Sequence, residues 1–85
     1  MPFLLPKKVT QENASHVQKE GLLNSQNLRS IDCSELKDFD STAITVLLAW
    51  QKKLAAEGQK ISIVNAPEKL KVLAGVYGVA ALLGL

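Results

Sequence analysis

The sequence predicts a small α/β domain, a mostly parallel or mixed sheet whose strands alternate with helices. Three observations predict it. Strand-like segments at residues 3–10, 28–33 and 60–64 alternate with helical segments at residues 12–23, 43–57 and 67–74, the order that produces crossover connections between parallel strands. The middle helix carries boundary signals at both ends, Asp40-Ser41-Thr42 ahead of it and Gly58 behind it. The last strand is rich in β-branched residues, Ile61, Ile63 and Val64, which suit a pleated surface. The 85 residues make one domain, residues 1–85, able to bury only about 60–65% of the surface of its unfolded chain.

Each element has its own reason. Phe3-Leu4-Leu5 and then Lys8-Val9-Thr10 read as a short strand interrupted by Pro6, which lacks an N–H and suits a sheet edge. Thr10, Gln11, Glu12 and Asn13 are a capping-rich start for the first helix, on which Ala14, Val17, Leu22 and Leu23 are loosely amphipathic. Gly21 is expected to weaken its last turn. Residues 24–27 form a loop. In the strand at residues 28–33, Ile31 and Cys33 point one way and Asp32 sits near its carboxyl end. Any of Asp40, Ser41 and Thr42 can cap the next helix, because a short side-chain oxygen accepts from its free N–H groups. Phe39 is placed to staple onto Ile44 across the cap. Ala43, Leu47 and Leu54, flanked by Ile44 and Leu48, centre the apolar face. Asn65-Ala66-Pro67 opens a third helix with proline near its first position. Residues 77–85 are an apolar tail ending in a short helix.

Composition narrows the function. Only four residues are aromatic (Phe3, Phe39, Trp50, Tyr77), so the core is mainly aliphatic. The net charge is +2, and the lysines are diluted by Glu12, Glu20, Glu57 and Glu68. That is a solvated surface without the basic stripe of a nucleic-acid binder. The lone Cys33 has no disulfide partner within the chain and reads as a small buried hydrophobe. No secretion signal is evident at the start. The longest apolar run, residues 72–85, spans 14 residues and holds three glycines, short of the roughly 20 needed to cross a bilayer. A soluble, cytoplasmic protein is expected.

Catalytic constellations are thin. His16 is the single histidine, so a metal centre has no second imidazole to build on. Ser41, His16 and Asp40 can be written as a triad, but no glycine-rich elbow or oxyanion loop accompanies them. The glycines at 21, 58, 75, 78 and 84 match no phosphate-binding or dinucleotide-binding pattern. Glu35, Asp38 and Asp40 lie in a polar loop. The chain is read as a non-enzyme with no cofactor. The second helix offers more: its apolar arc is about 200° wide, roughly twice what packing on a sheet requires. Val46 and Trp50 sit at the edge of that arc. Either a neighbouring helix or the tail around Tyr77 covers them, or they form an exposed anchor for a partner protein.

The stretch Ile31-Asp32-Cys33-Ser34-Glu35-Leu36-Lys37-Asp38-Phe39-Asp40-Ser41-Thr42-Ala43-Ile44 resembles the signature of STAS domains (sulfate transporter and anti-sigma factor antagonist). In that family a strand ending in Asp is followed by an Asp-Ser-Ser-Gly or Asp-Thr-Gly-Gly motif and an apolar helix. Gly58-Gln59-Lys60-Ile61-Ser62-Ile63-Val64-Asn65 and Leu70-Lys71-Val72-Leu73-Ala74-Gly75-Val76-Tyr77-Gly78-Val79 are similar to its later strand, helix and closing segment. Ala43 stands where the family usually has glycine, and the family's first strand is missing or shortened to Phe3-Leu4-Leu5.

Within the family the chain looks most like the small stand-alone STAS subunit of Mla-type phospholipid transporters. That resemblance implies a cytoplasmic regulator, peripheral at the inner membrane through its complex, that docks on an ABC ATPase to serve lipid asymmetry. Asp40, Ser41 and Thr42 would lie at the contact, with Ala43, Val46 and Trp50 on the helix beside it. The alternative is an anti-sigma factor antagonist, in which a kinase phosphorylates Ser41 or Thr42. An open sheet edge would also allow a homodimer.

Overall fold

The computed structural model describes residues 3–23 and 30–85. Two short strands open the chain, β1 (Phe3–Leu4) and β2 (Lys8–Val9), followed by α1 (Ala14–Leu23). Then come β3 (Ser30–Asp32), β4 (Asp38–Phe39) and the long α2 (Ser41–Ala56). The chain closes with β5 (Ser62–Val64), α3 (Glu68–Val76) and α4 (Ala80–Leu83). The predicted α/β class and STAS-like fold hold, with a short first strand.

The opening strand differs from the expectation. β1 and β2 do not form one interrupted strand but belong to different sheets. β1 joins a three-stranded sheet of order β1-β3-β5, and β2 pairs with β4 in a second, two-stranded sheet. Every pairing between the described strands is parallel. Pro6 explains the division: a residue with fixed φ and no N–H breaks the ladder between Leu5 and Lys8. In the larger sheet Ile31 stands between Phe3 and Ile63, and Asp32 between Leu4 and Val64, leaving β1 and β5 as its edges. Ile31 and Cys33 are both buried, the shared face expected from their spacing. Leu28, Arg29 and the loop at residues 24–27 lie outside the described residues.

The helices follow their signals with small shifts. α1 begins at Ala14, two residues later than expected, after a turn in which Ala14 N–H donates to the Thr10 carbonyl at 2.8 Å. Gly58, with φ of 72°, follows α2 in the left-handed conformation that glycine adopts at low cost. Pro67 occupies the N-cap of α3 rather than its first turn, with φ −62° and ψ 150°. Glu68 in that first turn complements the helix dipole. α3 runs on to Val76, past the expected end at Ala74.

α2 is the central rod, with α1, α3 and α4 all packed against it. Ala43, Ile44, Val46, Leu47, Trp50 and Leu54 of α2 are buried, together with Val17 of α1, Leu70 and Ala74 of α3, and Leu83 of α4. The wide apolar arc is therefore satisfied inside the fold. Trp50 is 0% exposed, its indole Nε1–H donating to the Gln18 carbonyl at 3.1 Å and its ring meeting Phe3 edge-on at 5.2 Å between centroids. Gly21 is the reason α1 can come so close. A β-carbon there would lie 2.3 Å from Cε2 of Trp50, well inside van der Waals distance. Read from sequence as a weak last turn, Gly21 is the seat of the indole.

Candidate functional site

The site is built where β4 hands the chain to α2. Asp40 leaves the sheet extended, at φ −125° and ψ −165°, and is the N-cap. Its Oδ1 accepts from the Thr42 backbone N–H at 2.9 Å. The Thr42 hydroxyl donates to the same carboxylate oxygen in a short hydrogen bond. The helix thus starts at Ser41, two residues ahead of the expected Ala43, because Asp40 alone takes the cap. The Thr42 hydroxyl, followed by its backbone N–H, holds the Asp40 carboxyl below the usual carboxylate range, since both donors favour the ionised form. Phe39 and Ile44, the two ends of the expected staple, are both buried.

The two neighbouring hydroxyls therefore have different fates. Thr42 is half-buried and bound to Asp40, whereas Ser41 is exposed and its hydroxyl makes no hydrogen bond among the described residues. Ser41 opens onto a groove of about 290 Å³ lined also by Ile44, Thr45 and Leu48 of α2 and by Tyr77 and Val79 beyond α3. Its walls carry hydroxyls and hydrocarbon, with no charged group. Tyr77 is half exposed at 54%, and the sequence reads it as part of an apolar tail able to cover Val46 and Trp50. Its separation from Ser41 along the chain left no local signal that the two share a groove.

The three helix residues expected at the contact are placed differently. Ala43, Val46 and Trp50 are at most 1% exposed, so none presents its side chain to a partner. The reason is topological: α1, α3 and α4 close around α2 and take up the part of the arc that a sheet alone would leave bare. Trp50 is a core residue satisfied by Gln18. The exposed positions on the first turns of α2 are Ser41 and Thr45.

The other chemical candidates do not converge. His16 is exposed and pairs with Glu20 at 3.6 Å, one turn along α1, far from the role that a triad with Ser41 and Asp40 requires. Cys33 is buried, its thiol pushed up to about 12 by burial and then by the charge of Asp32. Among the described residues no group of three or more His, Cys, Asp and Glu side chains is placed to hold a metal ion. Asp32 instead ties the carboxyl ends of β3 and β5 together, its Oδ1 accepting from Asn65 Nδ2 at 3.1 Å and from the Ser34 N–H at 2.9 Å. These bonds, that to Asn65 first, hold the Asp32 carboxyl below its ordinary range.

Fold and site together define a class: a small α/β module with a capped Asp-Ser-Thr corner facing an uncharged groove. The sequence matches the family described as "Mlab, STAS domain" over residues 8–84, and the chain belongs to that MlaB-type STAS family. No curated protein and no solved structure matched it. STAS domains act in general as regulatory modules that contact other proteins rather than as catalysts. Among the described residues no helix is long and apolar enough to cross a membrane.

Proposed function

We propose that this chain is the STAS subunit of an Mla-type phospholipid ABC transporter, a non-enzymatic cytoplasmic regulator that docks on the transporter's ATPase. Through that complex it sits at the inner membrane and serves lipid asymmetry. The observation that carries the reading is the exposed, unbonded Ser41 hydroxyl at the mouth of the groove, in a chain whose family is the MlaB-type STAS domain. Asp40 and Thr42 hold the corner rigid, and Ser41 is the group offered outward. An interface needs an apolar patch with a few placed hydrogen-bonding groups, and Ile44, Leu48, Tyr77 and Val79 beside Ser41 supply that composition.

The test is co-expression with the ABC ATPase of an Mla-type transporter. Wild type is expected to co-purify with it and Ser41→Asp to lose it, because a carboxylate is forced into an uncharged contact, while the circular dichroism spectrum stays native. Undiminished co-purification of Ser41→Asp would remove the site, and absence of any ATPase with wild type would remove the reading.

The same hydroxyl favours one alternative, an anti-sigma factor antagonist controlled by phosphorylation. Ser41 is accessible to a kinase, whereas the Thr42 hydroxyl is engaged by Asp40. A phosphate on Ser41 brings about −1.5 to −2 charges beside Asp40. Recovery of a serine kinase in place of an ATPase, with Ser41 rather than Thr42 modified, would select this alternative.

A further inference from the structure

The larger sheet stops at β5, and β3 is the element packed closely against that strand. The hydrogen-bond pattern shows which main-chain groups are left over. The Val64 carbonyl accepts from the Cys33 N–H at 3.0 Å, so Val64 is turned toward β3. Successive residues of a strand turn their N–H and C=O toward opposite edges, which points those of Ile63 outward. Among the described residues β5 has no second strand to receive them, and no turn or loop hydrogen bond reaches them. An edge of this kind is a template for another extended chain.

Beside that edge lies a cavity of about 300 Å³, lined by Gln51 of α2, by Lys60 and Ile61 just ahead of β5, and by Ala81, Leu82 and Gly84 at α4. Ile61 and Ile63 share the inward face of the chain by its two-residue period. A residue added across from Ile61 on a neighbouring strand would carry its side chain on that same face, toward the cavity. Lys60 is the one charged residue of the lining, and α4 carries none. The adjoining end of α2 holds Lys52 and the Lys53–Glu57 pair, 3.6 Å apart, so the surroundings are positive. The acidic groups beside β5, Asp32 and Glu68, stand at its carboxyl end, away from Lys60.

We propose that the open edge of β5 takes up an extended peptide segment of a partner protein as an added strand, with an aliphatic side chain in the cavity and a carboxylate beside Lys60. The outward N–H and C=O of Ile63 name the occupant, because an extended main chain is what pairs with them in strand addition. Ile61, Ala81 and Leu82 call for one aliphatic side chain on that segment. Lys60 sets the sign of the charge next to it. A second copy pairing edge to edge fits less well, since residues 58–67 hold no carboxylate to meet Lys60. The cavity shares no lining residue with the groove at Ser41, so the two surfaces stand or fall separately.

The experiment selects a displayed library of random peptides against the full chain and follows a recovered peptide by amide NMR. Recovered sequences are expected to share Leu, Ile or Val close to Asp or Glu. In the free chain the Ile63 amide is expected to exchange with solvent faster than that of Val64, which faces β3, and bound peptide is expected to slow it. Leu82→Asp is expected to weaken binding about tenfold. Lys60→Glu is expected to weaken it severalfold and to reduce its salt dependence. Both positions are exposed, so unchanged melting temperatures show that the fold is kept. Recovery of no peptide, peptides that shift Ser41 and Tyr77 in place of Ile63, or binding by both variants within about twofold of wild type would each overturn the proposal. So would an Ile63 amide already protected in the free chain; if light scattering then shows a dimer, the edge belongs to a second copy.

Discussion

Gly21→Ala sets two magnitudes against each other. Helix propensity alone favours alanine, by about 1 kcal/mol in a helix interior, so a sequence reading predicts a more stable protein. Geometry predicts the opposite. The new methyl carbon would lie 2.3, 2.4 and 2.6 Å from Cε2, Cζ2 and Nε1 of Trp50, against an optimum of about 3.5–4.0 Å for carbon contacts. Relief requires the indole or α1 to retreat by roughly 1 Å. The indole is completely buried, faces Phe3 edge-on, and donates to the Gln18 carbonyl at 3.1 Å. Overpacking of this kind costs about 1–3 kcal/mol, and a buried N–H pulled off its acceptor costs about 1–3 more. Subtracting the propensity gain leaves a net loss of about 1–5 kcal/mol, and each kcal/mol lowers Tm by about 4–8 °C for a domain of this size. Thermal and urea unfolding followed by circular dichroism read the effect, and Trp50, the single tryptophan, reports its own environment by fluorescence. In a Trp50→Leu background the same glycine change should be neutral or stabilising, because the obstructing ring is gone. A higher Tm for Gly21→Ala in the wild-type background would refute the close packing of α1 on α2.

Other outcomes follow from the same coordinates. Asp40→Ala should lower Tm by about 5 °C through loss of the cap, and Thr42→Val, which removes the hydroxyl bonded to Asp40, should share part of that loss; thermal melts that match wild type would show the cap to be dispensable. Asp32 and Asp40 both have folded pKa values below the ordinary 3.8, so the stability they contribute is full above that value and lost as pH falls through their folded values. Melting temperature should then be flat from pH 7 to about 5 and fall below about pH 4, and Asp32→Asn with Asp40→Asn should flatten that acid limb; an unchanged limb would assign it to other groups. Cys33, buried and with its thiol pushed up to about 12, should react with a disulfide reagent at pH 8 much more slowly than an ordinary exposed thiol. Rapid labelling of the native protein would show that the strand end opens.

What the sequence revealed and what it hid divide along a physical line. The helix boundaries were legible because capping is local chemistry: Asp40, the pair Phe39 and Ile44, and Gly58 act within one turn of the ends they define. The inward placement of Ile31 and Cys33 followed from strand period. Pro6 was seen as an interruption, but that its two flanks join separate sheets depends on β3 and β4, more than twenty residues away. Gly21 and Trp50 show the same limit more sharply. In sequence one is a helix-weakening glycine and the other an amphipathic residue at the edge of an arc. Only the approach of α1 to α2 makes them a matched pair, and that match decides that Trp50 is core and not anchor.

The burial of Trp50 changes how a partner must be held. With Ala43, Val46 and Trp50 withdrawn, the exposed residues that α2 sets beside the groove are Ser41 and Thr45, and the rest of the contact must come from elsewhere. α3 carries exposed Val72 and Val76 and a lysine, Lys69, whose ammonium lies over the Phe39 ring, but no motif that would draw notice to it. The corner at Asp40 joins the two. It caps α2, fixes Ser41 at the groove, and stands next to Phe39, over which Lys69 lies. A carboxylate that served only as a cap would be replaceable by asparagine, which caps about as well. If Asp40 also orients the face through its charge, Asp40→Asn should keep its melting temperature at pH 7 within a few degrees of wild type yet bind the ATPase more weakly. Equal binding by the asparagine variant would reduce Asp40 to a cap and leave Ser41 and Tyr77 as the polar groups of the groove that a partner meets.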